Sequence, residues 1–203
     1  MYFYPKELRS LINEISKFPG VGPKMAERIA LSIIKKEEEY IENLREVFEN
    51  AKKISFCPKC FGVSTGGECL VCADTARNSD ILCVVELPED IINLEKTTKF
   101  NGYYHVLQGL INPLNNMLAD NIRIAELEAR LRTETGKIKE LILALNHTVE
   151  GDATALYITA VVRKLGYGIK ITRLAKGLPT GSDIRYADEI TLGQALMERK
   201  EVL

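Results

Sequence analysis

Cys57, Cys60, Cys69 and Cys72 stand as two Cys-x-x-Cys pairs in the run CPKCFGVSTGGECLVC. Each pair can turn two thiolates toward one point. Two pairs can surround one ion with four sulfurs, the tetrahedral arrangement of a closed structural Zn²⁺ site. Gly62, Gly66 and Gly67 let the stretch between the pairs fold back on itself. A single pair would leave a redox dithiol open, but two this close in a chain without secretory features favour zinc. Sulfur fills every ligand position, so the expected role is a staple and not catalysis. The fifth cysteine, Cys83 in ILCVVE, reads as a buried strand residue.

A second set is acidic. Glu86 closes the run ILCVVE, and Glu150 and Asp152 lie in the turn TVEGDAT. If neighbouring parallel strands carry them, three carboxylates converge at the strands' carboxyl ends, where such sheets gather ligands. That cluster suits a hard divalent ion such as Mg²⁺ with part of its shell left to water or phosphate. Asp152 can equally be the N-cap of a helix starting at Ala153, and Glu86 a surface residue. The sequence leaves both readings open.

A third set is suited to phosphate. Phe18-Pro19-Gly20-Val21-Gly22-Pro23 separates two amphipathic stretches, Leu8/Leu11/Ile12/Ile15 and Ala26/Ile29/Ala30/Ile33. Gly20 and Gly22 permit a sharp turn and close approach of backbone to a ligand. The second helix begins beside that turn, so its free N–H groups suit a phosphate, with Lys24 and Arg28 on one face at the same end. The pattern resembles the helix-hairpin-helix motif, which holds the DNA backbone without reading sequence. From Arg163 to Lys176 a further five basic residues occur with no acidic one. They fit a solvated face or a phosphate-facing surface equally.

These residues must be positioned by separate modules. Residues 1–54 read as a helical hairpin followed by the acidic run Glu37-Glu38-Glu39, taken as a solvated loop, and a third helix. Residues 55–76 are the zinc knuckle. Residues 77–174 alternate apolar runs (81–86, 103–107, 140–145, 169–173) with helical segments (88–97, 123–135, 153–165), which predicts a parallel sheet flanked by helices. Residues 175–203 form a short C-terminal segment with a helix at 191–197, whose Leu192, Ala195 and Leu196 pack on the same domain or on another subunit. The overall class is a multi-module α+β chain.

At 203 residues and a net charge of −1, the chain is not a generally basic nucleic-acid protein. Contacts to DNA must come from local patches or from assembled copies. The start MYFYPKELRS lacks a signal peptide's apolar stretch, and no apolar run is long enough to span a bilayer, which reads as a cytoplasmic protein.

Taken in order, the modules resemble the RecR family of bacterial recombination mediators. The resemblance runs over essentially the whole chain. It is sharpest at Pro19–Lys24, the four cysteines, Cys83–Glu86, Tyr104–Leu107, Thr148–Gly151, Ala153–Tyr157 and Thr172–Ala175. It implies that residues 80–174 are a Toprim domain, the acidic α/β fold shared with topoisomerases and DnaG-type primases. It implies a dimer or tetrameric ring around DNA, with RecO and RecF as partners, that helps load RecA onto gapped single-stranded DNA. Lys24 and Arg28 would then face DNA, and Glu86, Glu150 and Asp152 would face Mg²⁺ or RecO. Four positions depart from the family pattern: Asn116 and Ser182 where Gly is common, His147 where Pro is common, and Asp152 where Glu is usual.

The expected function is therefore a non-catalytic DNA-binding adaptor in DNA repair. The alternative is a Mg²⁺-dependent Toprim phosphotransfer enzyme. Against it, the chain is too short for the domains that carry a topoisomerase's nucleophilic Tyr, and it has no G-x-x-x-x-G-K-[ST] loop. A third reading is a zinc-stapled interaction protein that does not touch DNA.

Overall fold

The computed structural model describes residues 3–199 and Glu201. The chain divides into two compact units, Met1–Ile54 and Ser55–Leu203.

The first unit contains helices α1 (Lys6–Ile15), α2 (Pro23–Ile33) and α3 (Glu38–Ala51). Ile12 and Ile15 of α1 pack against Ala26 and Ala30 of α2. The alanines, four apart on one face, let the two backbones approach closely. Pro23 occupies the first turn of α2, where its missing N–H costs nothing and its fixed φ fits the helix. The acidic run is not a loop. Glu37 is the N-cap position of α3 and Glu38 and Glu39 form its first turn, because negative side chains are stabilised by the helix's positive end.

The second unit begins with a short hairpin of β1 (Ser55–Phe56) and β2 (Val63–Ser64), followed by the one-turn helix α4 (Leu70–Ala73). Then come β3 (Asn78–Val85), α5 (Pro88–Lys96), β4 (Gly102–Val106), α6 (Ile124–Thr133), β5 (Glu140–Ala144), α7 (Val149–Leu165), β6 (Lys170–Arg173) and α8 (Glu189–Met197). The four long-sheet strands lie in the order β4-β3-β5-β6 and every pairing is parallel. Strand β3 starts at Asn78, earlier than its apolar run, and its register with β4 is irregular between Asn78 and Leu82.

The pleat sorts the apolar runs onto two faces. Leu82 and Val84 of β3 join Leu141 and Leu143 of β5 under α6 and α7, in a core that includes Leu127, Leu131, Ile158 and Val162. Cys83 and Val85 point the other way, with Tyr104 and Val106 of β4, toward Ile91 and Leu94 of α5 and toward Phe61 and Val71 of the knuckle. Both faces are covered, which is why these strands read as unbroken apolar runs. Each fully buried Val, Leu or Ile contributes roughly 1.5–3 kcal/mol relative to exposure. No helix among the described residues is long and apolar enough to cross a membrane.

Helix α7 begins four residues before the predicted start. Thr148 is its N-cap, and the Thr148 hydroxyl accepts a hydrogen bond from the Gly151 N–H at 3.2 Å. Asp152 therefore lies inside the first turn and does not cap the helix. The Asp152 N–H donates to the Thr148 carbonyl at 2.8 Å, as an intrahelical group should.

Candidate metal centre and nucleic-acid interface

The Sγ atoms of Cys57, Cys60, Cys69 and Cys72 all lie within 4.8 Å of one another. The β1–β2 hairpin places the first pair. The Cys57 N–H donates to the Gly62 carbonyl at 2.7 Å, and the Phe61 N–H donates to the Cys57 carbonyl at 2.9 Å. Phe61 sits at φ 62°, a turn conformation that aims Cys57 and Cys60 inward. Helix α4 places the second pair, with Cys69 at its N-cap position. Two backbone N–H groups already point at sulfur: Gly62 toward Cys60 and Cys69 toward Cys57, each at 3.4 Å.

Such donors stabilise thiolate charge. The Cys60 thiol is pulled down to about 5, chiefly by the hydrogen bond from Cys72. Cys72 is pushed up by that same bond and then by burial, and Cys69 chiefly by burial. One sulfur thus carries charge at its neighbours' expense, a conflict that a dication removes by taking the protons' place. Four converging thiols with amide donors around them fit a tetrahedral ion such as Zn²⁺.

In the first unit, the turn before α2 needs a glycine's conformational freedom at one of the two predicted positions. Gly20 adopts φ +78° and Gly22 is extended at φ −76°, ψ 166°. No side chain caps α2. The N–H groups of Lys24 and Met25, in its first turn, have no intrahelical carbonyl to reach. Gly22, Pro23, Lys24, Met25 and Arg28 line a shallow recess at this end, and Lys24 and Arg28 are exposed. Among the described residues, the ion pairs of this unit join Lys17 to Glu14, Arg45 to Glu42 and Lys52 to Glu49, outside that pair. Glu27, between them in sequence, accepts a hydrogen bond from the Tyr4 hydroxyl at 2.6 Å. The geometry offers a phosphate two amides and two cations on one surface.

The three carboxylates do not gather. Strands β3 and β5 are neighbours, as the convergence required. Yet the cysteines alone, among the described residues, bring three or more ligand atoms within 4.8 Å. Glu86 and Glu150 line one recess together with Asn112, Asn146 and Thr148. Asp152 instead forms ion pairs with Arg173 at 2.6 Å and Lys176 at 3.7 Å. Residues two apart on a helix point in nearly opposite directions, so Glu150 and Asp152 cannot share a site from one regular helix. Burial, with Asp90 and Glu150 adding to it, holds the Glu86 carboxyl above its ordinary range. The Arg173 guanidinium holds Asp152 below its own.

Two further side chains at the carboxyl edge of the sheet, Asn146 and Thr154, were not among the candidate site residues. The Asn146 side-chain amide donates to Glu86 at 2.9 Å, while the Asn146 backbone carbonyl accepts from Arg173 at 3.1 Å. Thr154 accepts from the Ile111 N–H at 2.9 Å and donates to the Glu150 carbonyl at 2.7 Å. Asn146 directly follows the apolar run 140–145, which was its only signal. The basic run is largely paired: Lys170 with Glu140, and Arg173 and Lys176 with Asp152.

Two departures from the family pattern have local accounts. Asn116 takes φ 55°, the left-handed region that Asn tolerates best after Gly. The Ser182 hydroxyl and N–H both donate to the Pro179 carbonyl, at 2.7 and 3.1 Å, closing the turn that contains Gly181. In α8, capped by Asp188, Leu196 is exposed and Leu192 and Ala195 are half-buried.

Comparison with known proteins follows the same modules. A family model described as "RecR, helix-hairpin-helix" matches residues 8–52, one described as "Toprim domain" matches residues 80–175, and one described as "RecR, C-terminal" matches residues 177–200. The chain is 45% identical to the recombination protein RecR of Acidothermus cellulolyticus over 98% of each chain. It is 43% identical to that of Streptomyces coelicolor over 97% of this chain and 98% of the other. It is 42% identical to that of Pelotomaculum thermopropionicum over the full length of both.

Proposed function

The chain belongs to the RecR family of recombination proteins, and from that premise we propose that it is a DNA-binding mediator that breaks no bonds itself. In this reading the α2 end holds phosphates through backbone amides with Lys24 and Arg28, and Gly20 and Gly22 let the strand approach. The single observation that supports it most is that uncapped helix start beside two exposed cations.

With a net charge of −1, one copy offers few such phosphate sites. Several copies, as a dimer or tetrameric ring, would add theirs. Cys57, Cys60, Cys69 and Cys72 would hold a structural Zn²⁺, which supplies folding free energy and no chemistry on DNA. The sheet's acidic lip, with Glu86 and Glu150 in one recess and Asp152 beside it, would meet a Mg²⁺ ion or the partner RecO. Together with RecO and RecF, the assembly would help load RecA onto gapped single-stranded DNA in the cytoplasm.

Reconstitution tests this directly. RecA assembly on gapped DNA coated with single-strand-binding protein is followed with RecO and RecF, with and without this chain. Faster assembly that is lost in the Lys24→Ala/Arg28→Ala variant is the expected result. Equal rates with and without the chain would overturn the reading.

A further inference from the structure

The second unit carries an apolar groove beside the metal centre, whose Cys69 reaches its wall, and it shares no residue with the proposed DNA contact at α2. It has a volume of about 700 Å³ and runs between the cysteine knuckle and α5. One wall is Phe56, Val63 and Leu70 of the knuckle; the other is Leu87, Ile91 and Ile92 at the start of α5. Leu70 is 92% exposed, and Phe56, Val63 and Ile92 are each more than half exposed. Scattered exposed apolar side chains need no explanation, but a contiguous set lining one groove marks an interaction site.

The walls are held in place. The Val106 N–H of β4 donates to the Cys60 carbonyl at 2.8 Å, and the Gln108 amide donates to the Phe61 carbonyl at 3.4 Å. At Gly62 the knuckle comes so near α5 that a Cβ there would lie 3.2 Å from Ile91 Cδ1. The same four sulfurs that fit a metal therefore fix one side of the groove.

The charges nearest it are mostly acidic. Glu89 lines the groove, and Glu68 and Asp90 adjoin lining residues in sequence. No Lys or Arg lines it. Arg123, which donates to the Gln108 side-chain oxygen at 3.1 Å, is itself paired with Glu126 at 2.5 Å. The groove does not offer the convergent polar groups that orient a small polar ligand.

We infer that this groove docks a segment of a partner protein that presents two or three aliphatic or aromatic side chains flanked by Lys or Arg. The apolar anchors fill the space between the knuckle and α5, and the basic flanks meet the acidic rim. The inference does not depend on the DNA-binding proposal.

A phage-displayed random peptide library, selected on the full chain loaded with zinc, tests it. The Leu70→Ser/Ile92→Ser variant serves as the counter-target. Both positions are exposed, and the variant's zinc content and thermal midpoint are measured to establish that it is folded. Enriched peptides should pair aliphatic or aromatic residues with flanking Lys or Arg. They should bind the variant at least about tenfold more weakly, and bind Glu89→Lys more weakly at low salt. Enrichment of no peptide that discriminates the variant, or of acidic peptides, would overturn the inference. So would light scattering in which the variant alone loses mass, because that would assign the groove to a second copy of the chain.

Discussion

Asp152 is paired with Arg173 across the top of the sheet at 2.6 Å, while Glu150, two residues earlier on α7, faces the recess that Glu86 lines. The Arg173 guanidinium also donates to the Asn146 carbonyl, and the Asn146 amide donates to Glu86. One arginine thus neutralises the third carboxylate and braces the loop that lies between the other two. The three carboxylates that the sequence allowed to converge form instead a two-carboxylate recess and a separate ion pair.

This arrangement predicts an outcome for the catalytic alternative. Plasmid and single-stranded DNA incubated with the purified chain and Mg²⁺ or Mn²⁺ should stay intact on gels. Cleavage that disappears in Glu86→Gln would establish the enzyme reading. If Mg²⁺ uptake is seen by titration calorimetry, it should weaken in Glu86→Gln and Glu150→Gln and persist in Asp152→Asn. Equal loss in all three would place them in one site.

The four cysteines predict dependence on metal. Structural zinc supplies on the order of 10 kcal/mol of apparent folding free energy, comparable to a domain's whole stability. A strong chelator, or Cys60→Ser, should lower the thermal midpoint sharply and expose Cys57 and Cys72 to thiol reagents. Both thiols are buried in the folded chain. Unchanged thiol reactivity after metal removal would show that packing alone holds the knuckle.

Gly151 is required by close approach and not by φ. A Cβ there would lie 2.0 Å from the Asn146 carbonyl oxygen, so Gly151→Ala must push α7 away from the loop. A cost of about 1–3 kcal/mol is expected, read as a lower denaturant midpoint. At Gly193 in α8 a Cβ would meet nothing within 4 Å. Gly193→Ala should be neutral or stabilising by about 0.5–1 kcal/mol. Similar losses at both positions would contradict the packing account.

His105 predicts an acid-sensitive fold. It is fully buried, its Nε2–H donates to the Arg123 carbonyl at 2.7 Å, and its Nδ1 has no partner among the described residues. Burial, with Arg130 and Arg123 nearby, pulls it down to about 4 from 6.5. A depressed folded value means that the unfolded chain takes up the proton first. Stability is therefore full above about pH 6.5 and falls between that and pH 4, by roughly 3 kcal/mol in all. His105→Gln should flatten this part of the stability–pH curve relative to the parent. Because the cysteines also release metal in acid, the comparison between the two proteins carries the test; parallel curves would exclude His105.

The modules were legible because their signals are local. Leu82/Val84 and Cys83/Val85 alternate onto two covered faces, which an unbroken apolar run announces. The cysteine spacing specifies its own geometry. What sequence did not convey depends on direction or distance. Asp152 could be read equally as a cap before Ala153 or as a metal ligand, yet Thr148 captures the helix start four residues earlier and Asp152 pairs with Arg173. The run Glu37–Glu39 looked like solvent-facing loop because its role depends on where α3 begins. The Asp152–Arg173 pair and the walls of the groove join residues far apart along the chain, and no periodicity reports that.

The central claim is that this nearly neutral chain holds DNA through the start of α2. The most direct measurement is the salt dependence of affinity for gapped DNA, by fluorescence anisotropy, for the parent chain and Lys24→Ala/Arg28→Ala. The account predicts weaker binding and a log–log slope flattened by roughly 0.9 for each phosphate that the variant no longer neutralises on duplex DNA. Binding with the same affinity and an unchanged slope would contradict it.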